Sequence, residues 1–101
     1  MKATSRKLED LVSVGPATLR DFELLGIRTV AQLAKQEPRA LYRKLGRIAR
    51  RHQDVCVLDV IYSAVAQARN PRLPATQCQW WWWSGRRRRA AASQARRESR
   101  R

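Results

Sequence analysis

Six residues near the N-terminus, Ser13-Val14-Gly15-Pro16-Ala17-Thr18, form the stretch best suited to holding a charged ligand. Gly15 predicts a tight backbone turn, and Pro16 suits the first position of a helix, where a missing N–H costs nothing. The first amides of a helix lack intrahelical acceptors and lie at the positive end of its dipole. They donate well to a phosphate oxygen when a glycine leaves room for its approach. The expected donors are the amides of Val14, Gly15, Ala17 and Thr18 and the hydroxyls of Ser13 and Thr18, with Lys7 and Arg20 adding charge. Contacts of this kind set register on a duplex and read no bases, so the expectation is non-sequence-specific DNA binding. The plainer alternative is a turn that only packs two helices.

A second constellation lies near the C-terminus. Trp80-Trp81-Trp82-Trp83 put four indoles in a row, and Arg86-Arg87-Arg88-Arg89 follow directly. Indoles stack on unpaired bases, and an arginine run beside them holds the backbone. The favoured reading is different. In an extended segment alternate residues face opposite ways, so two indoles complete the core and two stay outside for a protein partner or a second copy. The arginines are a solvated tail by default, and as a functional element they add counterion-release affinity for nucleic acid.

Catalysis and metal binding find little support. His52 is the only histidine, in the polar run Arg50-Arg51-His52-Gln53-Asp54. His52 and Cys56 are four apart, with Cys78 as a third ligand, but zinc wants four ligands at recognisable spacing. A buried, structural Cys56 on the apolar helix is the simpler expectation. No Gly-rich nucleotide loop or acidic metal cluster is present, so no cofactor, no metal and no enzymatic activity are expected.

The elements that position these residues are helical. Ser5 caps a first helix of about 6–12, with Glu9 and Asp10 in its early turns. A second runs from Pro16 to Leu25, with Gly26 as its left-handed C-cap. Thr29 and Gln32 make a capping box for a third, about 30–35. Pro38 opens a fourth, with Leu41, Leu45 and Ile48 on one face and Arg39, Arg43, Arg47, Arg50 and Arg51 in a stripe; Gly46 weakens its middle. Asp54 caps a fifth helix of about 55–68, apolar on most sides and so central. Asn70 to Pro74 break regular structure. From Arg86 onward the composition of Arg, Ala and Ser predicts disorder in isolation. The expected fold is all-α: about five helices built on a helix-hairpin-helix motif over residues 1–85, then a disordered basic tail over 86–101.

A chain of 101 residues makes one small domain, and its net charge of +14 favours a polyanionic partner. Residues 86–101 carry half of that charge, eight arginines against one glutamate. No run of eighteen apolar residues spans a membrane, and Met1 to Lys7 lead into Leu8-Glu9-Asp10 rather than a signal-peptide core. Two cysteines suit free thiols in a reducing compartment, so a cytoplasmic location is expected.

Four landmarks then resemble a known group. A hairpin with Gly15, then Gly26-Ile27 and Thr29-Val30-x-x-Leu33, then Pro38 before Leu41-Tyr42, is similar to helix-hairpin-helix proteins. Asp54-Val55-Cys56-Val57-Leu58 and the tryptophan run resemble the small bacterial pathogenicity-locus or mitomycin-resistance family. The C-terminal domain of TfoX-type competence regulators looks like a more distant relative. The resemblance covers roughly residues 5–85 and implies an all-α fold, with DNA binding by analogy to the larger group. Two departures stand out: Ser13 replaces the first glycine of the group's hairpin, and Trp82 replaces a polar residue in the tryptophan signature.

Overall fold

The computed structural model describes residues 6–50 and 54–99, which form an all-α fold. A one-turn 3₁₀ helix, Leu8–Asp10, leads through a bend into α1, Pro16–Leu24. Then come α2, Val30–Ala34; α3, Pro38–Ala49; α4, Val55–Arg69; a 3₁₀ turn, Ala75–Cys78; and α5, Trp80–Ser99. Ser5, Arg51 and His52 lie outside the described residues.

Local chemistry sets most of these boundaries. Beyond α1, Gly26 takes φ +78°; its N–H donates to Glu23 O and the Ile27 N–H to Phe22 O, which is a Schellman motif. At the start of α2, Gln32 N–H donates to Thr29 Oγ1 at 3.0 Å and Thr29 N–H to Gln32 Oε1 at 3.2 Å, the expected capping box. Pro38 sits in the first turn of α3, and Glu37 Oε2 accepts from Ala40 N–H. Asp54 Oδ1 accepts from Cys56 N–H at the start of α4.

The core gathers around α4, which packs against α2, α3 and α5. Leu8, Leu11, Phe22, Leu25, Ile27, Leu33, Leu41, Leu45 and Ile61 are all buried. Phe22 and Leu33 are fully enclosed, each contributing on the order of 1.5–3 kcal/mol by burial.

Four expectations change. The first helix is one 3₁₀ turn, because Leu11 turns extended and Val12 and Ser13 are bonded elsewhere in the fold. Helix α3 runs unbroken through Gly46, yet Ile48 is 40% exposed. It shares the phase of Leu41, so no described neighbour covers this last turn. The tryptophans are helical rather than extended: adjacent Trp82 and Trp83 are half-buried, and Trp80 and Trp81 are exposed. Finally, α5 does not stop at Gly85 but continues to Ser99, where the composition predicts disorder from Arg86. A free helix of Arg and Ala is marginal because its nucleus is costly, but here the first turns are already docked and Ala and Arg propagate them well.

Candidate functional site

The bend before α1 is built differently from its sequence reading. The left-handed residue is Ser13, φ +73°; Gly15 is extended at φ −105°. Thus the serine at the group's glycine position takes the strained conformation, which costs an L-residue of this type on the order of 1 kcal/mol. Polar contacts to distant parts of the chain hold it there. The Ser13 hydroxyl donates to Cys78 O at 3.2 Å and accepts from Trp80 N–H at 3.1 Å. Gln67 on α4, 5% exposed, takes the neighbouring peptide from both sides: its Oε1 accepts from Val12 N–H at 2.9 Å, and its Nε2 donates to Val12 O at 2.8 Å. Ser63 completes the clasp, donating to Cys78 O and accepting from Gln67 Nε2.

The expected phosphate donors are therefore sorted. Ser13's hydroxyl is spent inside the fold, and Val14 N–H donates to Leu11 O at 3.3 Å. These two leave the candidate set. At α1 the amide ladder begins with Leu19 N–H donating to Gly15 O, and no side chain caps the turn before it. Gly15, Ala17 and Thr18 remain as the open end of the helix. Lys7 and Arg20 are exposed, on the 3₁₀ turn and on α1 respectively. A hollow of about 180 Å³ opens beside this end, lined in part by Ala17, Thr18, Asp21 and the Trp80 indole.

The C-terminal constellation is divided by the fold. Arg87 donates to both oxygens of Asp59 at 3.0 Å, and Asp59 is 1% exposed within α4. The hydrogen bond from Arg87 to Asp59 raises the guanidinium's affinity for its proton. Arg87 is thus a structural tie rather than a free nucleic-acid contact, whereas Arg86, Arg88 and Arg89 are exposed. Trp83 stacks on Tyr62 with centroids 5.5 Å apart and planes 11° apart, and its Nε1 donates to Gln77 O at 2.8 Å. Trp82 meets Trp83 edge-on at 4.9 Å.

The model of the Cdd1 pathogenicity-locus family matches residues 1–89. The chain belongs to the pathogenicity-locus family. It is also 41% identical over 68 residues to the mitomycin resistance protein McrB of Streptomyces lavendulae. That alignment covers 67% of this chain and 63% of the relative, so it spans somewhat less than two thirds of the relative's length. No solved structure matches the chain. The family match runs to residue 89 and so includes Arg86 and Arg87, which the sequence reading placed outside the resemblance.

Sequence reasoning missed Asp59, Gln67 and Ser63. The signal was present: three polar residues interrupt the most apolar helix, and a buried polar side chain requires a partner. Cys56, expected to be buried, is instead exposed, because it lies in the first turn of α4 ahead of the buried stretch that begins at Leu58, and Cys78 ends the second 3₁₀ turn; among the described residues no group of three His, Cys, Asp or Glu is placed to hold a metal. The hydrogen bond with Asp54 pushes the Cys56 thiol above its ordinary range. Asp54→Asn, which keeps a good N-cap, is expected to raise the iodoacetamide alkylation rate of Cys56 at about pH 8 roughly threefold, read by mass spectrometry. An unchanged rate means that Asp54 does not hold the thiol.

Proposed function

We propose that this chain is a non-catalytic, non-sequence-specific DNA-binding module whose contact surface is the open end of α1. One observation carries this reading. Gly15 has φ −105°, which any residue adopts, and a Cβ at this position meets no atom within 4 Å. Neither backbone conformation nor packing inside the chain requires a glycine there. A glycine that the fold does not need suits the close approach of something outside it, next to the two helix amides of Ala17 and Thr18, which have no side-chain cap. Lys7 and Arg20 add positive charge, and the exposed arginines of α3 and α5 supply long-range attraction. Among the described residues no helix is long and apolar enough to cross a membrane.

Gly15→Val tests the reading cleanly, because the space for its side chain is open. The expected result is about tenfold weaker binding of the full chain to a labelled duplex of about 20 base pairs, with thermal unfolding almost unchanged and with wild-type affinity falling steeply from about 50 to 200 mM salt. Equal affinity of variant and wild type would overturn the hairpin's role. Deleting residues 86–101 is the wrong control, since it removes Arg87; neutralising Arg88, Arg89, Arg96 and Arg97 measures the exposed charge instead.

A second reading, a protein-interaction module, rests on Trp80 and Trp81, which are 39% and 52% exposed. Sedimentation of Trp81→Ala beside wild type reads it: self-association that vanishes in the variant supports it, and a monomer in both counts against its self-association form.

A further inference from the structure

A cleft between α3, α4 and α5 lies outside the hairpin surface. Its wall is the stacked pair of Tyr62 and Trp83. The Arg39 guanidinium sits 5.9 Å from the Tyr62 ring centre, and that of Arg86 sits 5.3 Å from the Trp83 ring centre. The two rings thus form a short column with a guanidinium over each. Both cations are exposed, and among the described residues neither makes an ion pair or a hydrogen bond. Arg87 also lines the cleft, but Asp59 neutralises it. Glu37 lines the adjoining hollow beside Tyr62, Trp83 and Arg86, and its Oε2 caps α3 at Ala40 N–H.

Held over rings, the two guanidiniums lose less side-chain entropy on meeting an anion than free arginines do, and their planes also stack bases. The cleft measures about 230 Å³ and opens to solvent. That is below the usual range for a whole small-molecule ligand but enough for one planar unit of a polymer that continues outside. The exposed Arg89, three residues beyond Arg86 on the same side of α5, offers such a polymer's backbone a further contact.

We propose that the Arg39–Tyr62–Trp83–Arg86 column is a binding site for single-stranded nucleic acid, taking one unpaired nucleotide with its base stacked on a guanidinium plane at one end of the column and its phosphate held by the arginine charge beside it. The match is one of charge and shape: two unpaired cations beside a flat apolar wall. Since the Trp83 N–H already donates to Gln77 O, the wall offers no indole donor to a base edge, and binding tolerates any base. The site stands apart from the duplex surface at α1 and is tested separately.

The experiment uses the full chain and fluorescence polarisation with an oligothymidylate of about 20 residues and an abasic strand of the same length, at about 0.1 M salt. Wild type is expected to favour the base-bearing strand by about tenfold. Arg39→Gln with Arg86→Gln removes that preference. Arg43→Gln with Arg47→Gln, a charge-matched pair on the exposed face of α3, weakens both strands by a similar small factor and keeps the preference. An oligouridylate arm assigns the site to DNA or RNA, and either result retains it. The proposal is overturned if wild type binds both strands equally, or if the two double variants behave alike while circular dichroism shows both folded.

Discussion

Arg87→Met is expected to destabilise the protein by about 3 kcal/mol in urea unfolding, and to lower its helical circular dichroism below the transition. The Asp59 carboxylate is 1% exposed and its oxygens accept two bonds from Arg87 at 3.0 Å. Removing the cation leaves an uncompensated buried charge, a loss of roughly 3–5 kcal/mol. The Arg87 side chain is 27% exposed, so water reaches the site and the lower end applies. The reverse change is milder. Asp59→Asn leaves behind a cation that solvent already touches, at a cost of about 1–2 kcal/mol. Asp59→Leu with Arg87→Met lies closer to wild type than Arg87→Met alone, because no unpaired charge remains. If Asp59→Asn proves the more damaging single change, the pair does not anchor α5 as described. The helical signal follows from the same contact, since residues 88–99 are mostly exposed and depend on the docked turns for a nucleus.

Gln67→Leu is the second large effect, about 2–4 kcal/mol, with a loss of duplex affinity beyond what stability explains. Leucine nearly matches the volume but leaves Val12 N–H and C=O without the partners now at 2.9 and 2.8 Å, and Ser63 without its donor. The bend that presents α1 then loses its support from α4. Gln67→Glu adds a pH signature. A buried carboxylate has its pKa raised above the unfolded value of about 4.3, and only the acid form can donate to Val12 O. Its stability relative to wild type therefore improves as pH falls toward about 4 and worsens as pH rises through the folded pKa. A pH-independent difference between the two proteins means that Gln67 does not donate there.

Legibility in the sequence follows the range of each interaction. The caps at Thr29, Glu37-Pro38, Asp54 and Gly26 are contacts between residues two to five apart, so residue types at fixed spacing carry them. The central place of α4 is equally legible, since its apolar run must be covered on most sides. At the bend before α1 the sequence places a tight turn at Gly15, whereas the left-handed residue is Ser13. Glycine is the usual occupant of a left-handed position, and only the tie to Cys78 and Trp80 reveals that a serine takes it here.

By itself, then, the sequence determined an all-α chain, the caps that open α2, α3 and α4 and close α1, its family and its positive charge, all of which reside in local hydrogen bonding, apolar spacing and composition. The tertiary structure decided which amides stay open and which arginines stay free. Those outcomes depend on partners far apart along the chain: Val12 with Gln67, Ser13 with Cys78, Asp59 with Arg87, and Arg39 with Tyr62. No local pattern records such pairs, because the pairing is set by how the helices pack, and the same arginine is a free cation or a buried tie according to the carboxylate that packing brings to it.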